Sequence, residues 1–183
     1  MAELTSLLAA ARQGDARSKG QAFSLLYADL RRLARARLRQ HQTMTLLDTT
    51  SLVHESYLKL MGAQALPVAD RQHFFAYASH VMRSVIVDFA RARLAERRGG
   101  DAEHLVLDTA LGERLAAPEN DVLRVHEALD VLAQADERLA QVVEMRYFGG
   151  LSEAEIAATL GVSERTVRRH WERARLLLLA ALE

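Results

Sequence analysis

An all-α chain, built as two small helical domains on either side of an acidic linker, is the fold class this sequence predicts. Three observations predict it. Of 183 residues only two are proline and nine glycine, while Leu, Ala, Arg and Glu abound, a vocabulary of strong helix formers with few breakers. Apolar residues recur at three- and four-residue spacing in segment after segment, and no stretch alternates as a strand would. Charge is segregated: residues 101–144 hold eleven acids against three bases, so that stretch carries −8 and the rest +8, although the whole chain is neutral. Half of the residues are hydrophobic, enough to form packed cores rather than a disordered chain.

Each element follows in order. Leu4, Leu7, Leu8 and Ala11 make a short first helix. Phe23, Leu26, Tyr27, Leu30, Leu33, Ala34 and Leu38 keep one apolar face along a second, with Arg31, Arg32, Arg35 and Arg39 on the other. Thr49–Ser51 offers N-caps to a third helix lined by Val53, Tyr57, Leu60 and Met61. Residues 62–71, with Pro67, read as a loop. Phe74, Tyr77, Ala78, Val81, Val85, Phe89 and Ala92 then mark a fourth helix from about His73 to Arg98, whose last turns are basic. Acids and glycines from Gly99 to Asp121 read as the linker. Helices resume at 122–134, 137–148, 153–160 and 164–182, which sets domains at 1–98 and 122–183 with the linker at 99–121.

The most specific local signal is "GLSEAEIAATLGVSERTVRRHWERAR", residues 150–175. Ser152 and Glu155 stand at capping-box spacing. Gly161 ends one short helix where a positive φ is cheap, and Ser163 caps the next. Ile156, Leu160, Val162, Val167 and Trp171 can share a core between the two helices, which makes a helix-turn-helix. The face left over carries Glu164, Arg165, Arg168, Arg169 and Glu172. A planar guanidinium reaches phosphate and guanine bidentately, so Ser163, Glu164, Arg165, Thr166, Arg168, Arg169 and Arg173 are the candidate DNA contacts there.

Composition also excludes. With no cysteine there are no disulfides and no thiolate metal sites. The seven histidines lack ligand spacing; His73 and His80 stand about two helical turns apart. No glycine-rich phosphate loop and no His-Glu-x-x-His occur. The expectation is a non-enzyme without metal or cofactor. No apolar run reads as a signal peptide or a membrane span, so a soluble cytoplasmic protein is expected.

"RYFGGLSEAEIAATLGVSERTVRRHWERAR" resembles the fourth-domain helix-turn-helix of bacterial RNA polymerase sigma factors. "TTSLVHESYLKLMG" followed by "HFFAYASHVMRSVIVDFARARLAERRGG" resembles the second sigma domain of the extracytoplasmic-function (ECF) type, in the ECF-like subgroup that writes the first helix as Leu-Val-His-Glu. Both appear in family order and cover nearly the whole chain. The resemblance implies a subunit that binds core RNA polymerase, at the clamp helices of the largest subunit and the flap of the second largest, and directs initiation at promoter DNA. It implies polymerase contacts at Asp48, Ser51, Leu52, His54, Glu55 and Leu58; the commoner pattern has Asp and Gln where Ser51 and His54 stand. It implies minus-ten contacts at Arg83, Ser84, Asp88, Arg91, Arg93, Arg97 and Arg98, with Ser84 in place of a family asparagine. Phe75, on another face from Phe74 and Tyr77, is the candidate for base stacking. The helix-turn-helix would read the minus-thirty-five element, the acidic linker would thread the polymerase, and an anti-sigma partner is a regulator the family admits. Two rival readings remain: a conventional helix-turn-helix regulator with a sensing or dimerising N-terminal domain, and a helical polymerase-binding decoy.

Overall fold

A computed structural model describes residues 2–40, 48–63, 68–99 and 118–182. Among them are helices α1 (Ala2–Arg12), α2 (Ala16–Gln40), α3 (Thr49–Gly62) and α4 (Arg71–Gly99). After these come α5 (Pro118–Ala135), α6 (Glu137–Val143), a π-helical turn (Glu144–Phe148), α7 (Glu153–Leu160) and α8 (Glu164–Leu182). No strand occurs among the described residues. Most of the expected linker, residues 100–117, and loop residues 64–67 lie outside them.

The first four helices form as their apolar spacing dictates. Phe23, Leu26, Leu30, Leu33 and Ala34 turn the buried face of α2 onto α1 and α3, while Arg31, Arg32 and Arg35 stay exposed. Phe23 meets the edges of Tyr57 and Phe74, with ring centroids 5.5 and 6.2 Å apart, the tilted geometry that ring quadrupoles favour. The cap of α3 is Asp48 rather than Thr49–Ser51: its carboxylate accepts from the amides of Thr50 and Ser51, at 2.7 and 3.0 Å. At the other end of α3 the ammonium of Lys19, 6% exposed, donates to the carbonyls of Met61 (2.6 Å) and Ala63. A cation at the carbonyl end opposes the helix dipole and satisfies groups the helix leaves open. Asp70 caps α4 through the amides of Gln72 and His73, both 2.9 Å away.

In the second half, Asp136 breaks α5 from α6 and accepts from Leu139 N. The 137–148 segment, expected as one α-helix, widens into the π-helical turn at Glu144. That turn carries Met145 and Phe148 into the interior.

The two halves are docked. α4 packs against α5, the π-turn and α7, α2 also touches the π-turn, and one continuous apolar cluster runs through both halves. Backbones approach closely where Gly149 and Gly150 lie against α4 and α2. A Cβ on Gly149 would fall 2.0 Å from Ser79 Oγ; on Gly150, whose φ is +66°, it would fall 2.6 Å from the amide N of Arg37. Arg37 is 1% exposed and lies over the Tyr147 ring at 4.9 Å. Burial lowers its pKa, and its Nε and Nη1 find no hydrogen-bond partner among the described residues. No described helix is long and apolar enough to cross a membrane.

Candidate nucleic-acid interface

The helix-turn-helix is closed by its own turn chemistry. Ser152 N donates to Glu155 Oε2 at 2.9 Å while Ser152 Oγ accepts from Glu155 N at 3.3 Å, so the capping box forms. Gly161 sits at φ 65°, ψ 34°, in the left-handed region, and Val162 N returns to Ala157 O at 3.0 Å. Ser163 Oγ then accepts from Thr166 N at 3.2 Å to start α8. Ile156 and Val167 are fully buried, with Leu160, Val162 and Trp171 packed against them. The Trp171 ring also carries the Arg146 guanidinium at 4.4 Å, a cation–π contact that ties α8 to the π-turn.

This core leaves Ser163, Glu164, Arg165, Arg168, Arg169, Glu172 and Arg173 exposed and Thr166 half-buried. Arg165, Thr166, Arg168, Arg169 and Glu172 line one concavity on that face. Arg168 is held in place: its Nη2 and Nε lie 3.0 and 3.3 Å from Glu153 Oε2, and Arg146 Nη1 reaches Glu153 Oε1 at 3.1 Å. The Glu153 carboxyl is kept below its usual range chiefly by the hydrogen bond from Arg168. Arg165, Arg169 and Arg173 extend from the same surface.

The sequence-predicted residues of α4 are not gathered on one open face. Arg83 is 9% exposed, turned into the contact with the second half. Its Nε donates to His126 Nδ1 at 3.1 Å, its Nη2 to the His126 carbonyl at 3.1 Å and to Asp130, and its Nη1 to Glu144 Oε1 at 3.3 Å. Arg93 Nη1 stands 3.8 Å from Glu119 Oε1. Ser84 and Asp88 turn the other way, toward α3, where Lys59 Nζ reaches Ser84 Oγ at 2.6 Å and Asp88 Oδ2 at 2.5 Å. Arg91 is exposed. The side chains of Arg97 and Arg98 lie outside the described ones. Phe75, expected on a free face for stacking, is instead 8% exposed, flanked by the guanidinium groups of Arg32 and Arg71 at 5.6 and 5.7 Å. Phe74 is fully buried and Tyr77 half-buried.

On α3, His54, Glu55 and Leu58 are exposed, Leu58 at 48%. Ser51 is half-buried, its hydroxyl donating to Asp48 Oδ2 at 2.9 Å. Asp48 is exposed and spends its carboxylate on the cap, whose hydrogen bonds, Ser51's first, hold its pKa down. Leu52 has no exposed surface; it backs this face from the core instead of forming part of it. Beside His54 a groove opens between α2 and α3, lined by Phe23, Ser24, Tyr27, Thr50 and Tyr57.

Sequence reasoning missed Lys59, His126, Asp130 and Glu144. Acids one turn apart on α5 and Lys59, one of two lysines in an arginine-rich chain, are visible in the sequence, but their partners lie 25 to 61 residues away. Among the described residues no cluster of His, Cys, Asp and Glu could hold a metal ion.

A family model described as ECF sigma factor matches residues 1–183. No curated protein matches the chain.

Proposed function

The chain belongs to the ECF sigma factor family, whose members act in transcription initiation without being enzymes themselves, and on that premise we propose how it divides the work. The exposed α3 face of His54, Glu55 and Leu58, with the groove beside it, binds the clamp helices of core polymerase. α8 enters the major groove of the minus-thirty-five element, where its N-terminal residues meet base edges and Arg173 meets phosphate. α4 takes the minus-ten element through Ser84, Asp88, Arg91 and Arg93, joined by Arg83 once it is released. Phosphate contacts position the protein and base contacts select the site. The second half also offers the flap of the second-largest subunit a surface. Such a subunit works in the cytoplasm, where polymerase and chromosome are.

The observation that carries this reading is the exposed arginine face of a correctly capped helix-turn-helix, in a chain matched by the family along its full length. The test is a pulldown with core polymerase followed by run-off transcription from a promoter selected out of random DNA. Retention on polymerase and a discrete transcript are expected; failure to bind polymerase defeats the proposal.

A further inference from the structure

Of the arginines proposed as DNA contacts on α8, one is held by its neighbours. Arg168 donates from Nη2 and Nε to a single oxygen, Glu153 Oε2, at 3.0 and 3.3 Å. Glu153 opens α7, and its other oxygen, Oε1, accepts from Arg146 Nη1 at 3.1 Å. The Arg146 guanidinium lies in turn over the Trp171 ring at 4.4 Å. The π-turn, α7 and α8 thus fix one guanidinium through a chain of side chains. Arg165, Arg169 and Arg173 make no hydrogen bond or ion pair among the described residues.

The Arg168–Glu153 pair adds little to stability. Arg168 keeps 64% of its side-chain surface in water and Glu153 26%, and ion pairs this wet contribute little. What the pair settles is orientation. A guanidinium has two donor edges, Nε–Nη2 and Nη1–Nη2. Glu153 occupies the first and leaves the second for a ligand. That second edge matches the O6 and N7 acceptors that guanine presents in the major groove. A side chain already held also loses less rotamer freedom on binding than a free one. A phosphate contact would gain nothing from the carboxylate, whose charge repels the DNA backbone. An acid in the first turn of α7 suits the helix dipole as well, but that role would show in stability and not in base preference.

Resting on the proposed placement of α8 in the minus-thirty-five major groove, we propose that Arg168 reads a guanine there and that Glu153 is the positioning residue that sets its selectivity. Arg146, stacked on Trp171, anchors Glu153 from the other side.

The test uses the full chain with core polymerase, on a promoter selected from random DNA and on every single-base variant of its upstream element. Arg168→Ala should abolish one guanine preference of about fivefold or more, the discrimination that one bidentate pair supplies. Glu153→Gln should erase most of the same preference while total promoter binding holds or rises, because a negative charge has left the interface. In the Arg168→Ala background, Glu153→Gln should alter no preference further, the non-additivity expected of residues in contact. Circular dichroism and the melting temperature check that the helix-turn-helix is intact, and Glu153→Ala repeats the measurement with the hydrogen bond removed outright. A guanine preference unchanged in both Glu153 variants overturns the positioning role. An Arg168→Ala loss spread evenly over all positions makes Arg168 a phosphate contact and overturns the reading of guanine. Either result leaves α8 in the promoter. A wild-type holoenzyme indifferent to every base of the upstream element defeats the proposed placement of α8 and this inference together.

Discussion

Lys59 on α3 joins Asp88 on α4, 2.5 Å between Nζ and Oδ2, and the same ammonium reaches Ser84 Oγ at 2.6 Å. Exposed pairs of this kind add little to stability, about 0–1 kcal/mol. Their value here is positional. Lys59 neutralises a carboxylate that would repel phosphate and occupies the acceptor side of Ser84, leaving its hydroxyl to donate. Lys59→Ala should therefore leave the melting temperature almost unchanged and weaken holoenzyme binding to the minus-ten element severalfold. Equal promoter binding by the variant would remove Lys59 from the site.

On α8, Arg169→Ala should show which kind of contact that side chain makes. If it meets phosphate, the slope of log affinity against log salt flattens by ~0.9 and all promoters weaken alike. If it reads a base bidentately, the loss is ~1–3 kcal/mol and is concentrated at one promoter position. Binding across a salt series on a set of single-base promoter variants separates the two. No change in either measure would take α8 out of the DNA.

Gly161→Ala isolates a backbone effect. Nothing stands within 4 Å of the added Cβ, yet the residue is at φ +65°, so the cost is that of an L-residue in the left-handed region, about 1–2 kcal/mol. Denaturant unfolding of the full chain should report a loss of that order. The proposed DNA face is untouched.

Arg37 is a buried charge with two nitrogens left without partners among the described residues. Replacing such a group with an apolar side chain of similar length removes the penalty of taking a charge and its unpartnered donors out of water. Arg37→Met should keep or raise the melting temperature and preserve energy transfer between a donor and an acceptor attached at Arg12→Cys and Gln134→Cys, exposed positions on opposite halves of this cysteine-free chain. A large fall would mean that the stacking on Tyr147 outweighs the desolvation of the guanidinium.

The interface should respond to pH in both directions. His80 is pushed above its ordinary value chiefly by the hydrogen bond to Glu144, against burial and the Arg83 charge, with Asp130 also near. A raised value contributes stability below the ordinary pKa and loses it as pH rises through the docked one. His126 is pushed down, first by burial and next by Arg83; Asp130, Arg91 and Glu127 also face it. A lowered value contributes above the ordinary pKa and loses it as pH falls through the docked one. Docking is expected to be firmest near the ordinary histidine value of about 6.5. Energy transfer should decline on both sides of it; a monotonic profile would exclude one of the two histidines.

The helix-turn-helix was legible because its signals are local. Ser152, Gly161 and Ser163 act within four residues of themselves, and α7 and α8 occupy the expected spans. Asp48 was passed over as a cap because hydroxyls followed it directly, although a carboxylate one residue outside the helix accepts two amides. The π-turn at Glu144 leaves no mark in a pattern of period 3.6. The burial of Phe75 and Arg83 is not legible for a different reason. Nothing in the sequence of α4 reveals that α5 and the π-turn pack on it; that depends on Gly149 and Gly150 being small where two backbones meet.

Lysine is scarce enough in this chain to serve as a built-in reporter. Only Lys19 and Lys59 carry side-chain amines. Lys59 stands half in solvent, whereas Lys19 is sealed against the last carbonyls of α3. An amine-directed reagent followed by mass spectrometry should mark Lys59 promptly and Lys19 only when the end of that helix frays, giving a clock for local opening without any engineered label.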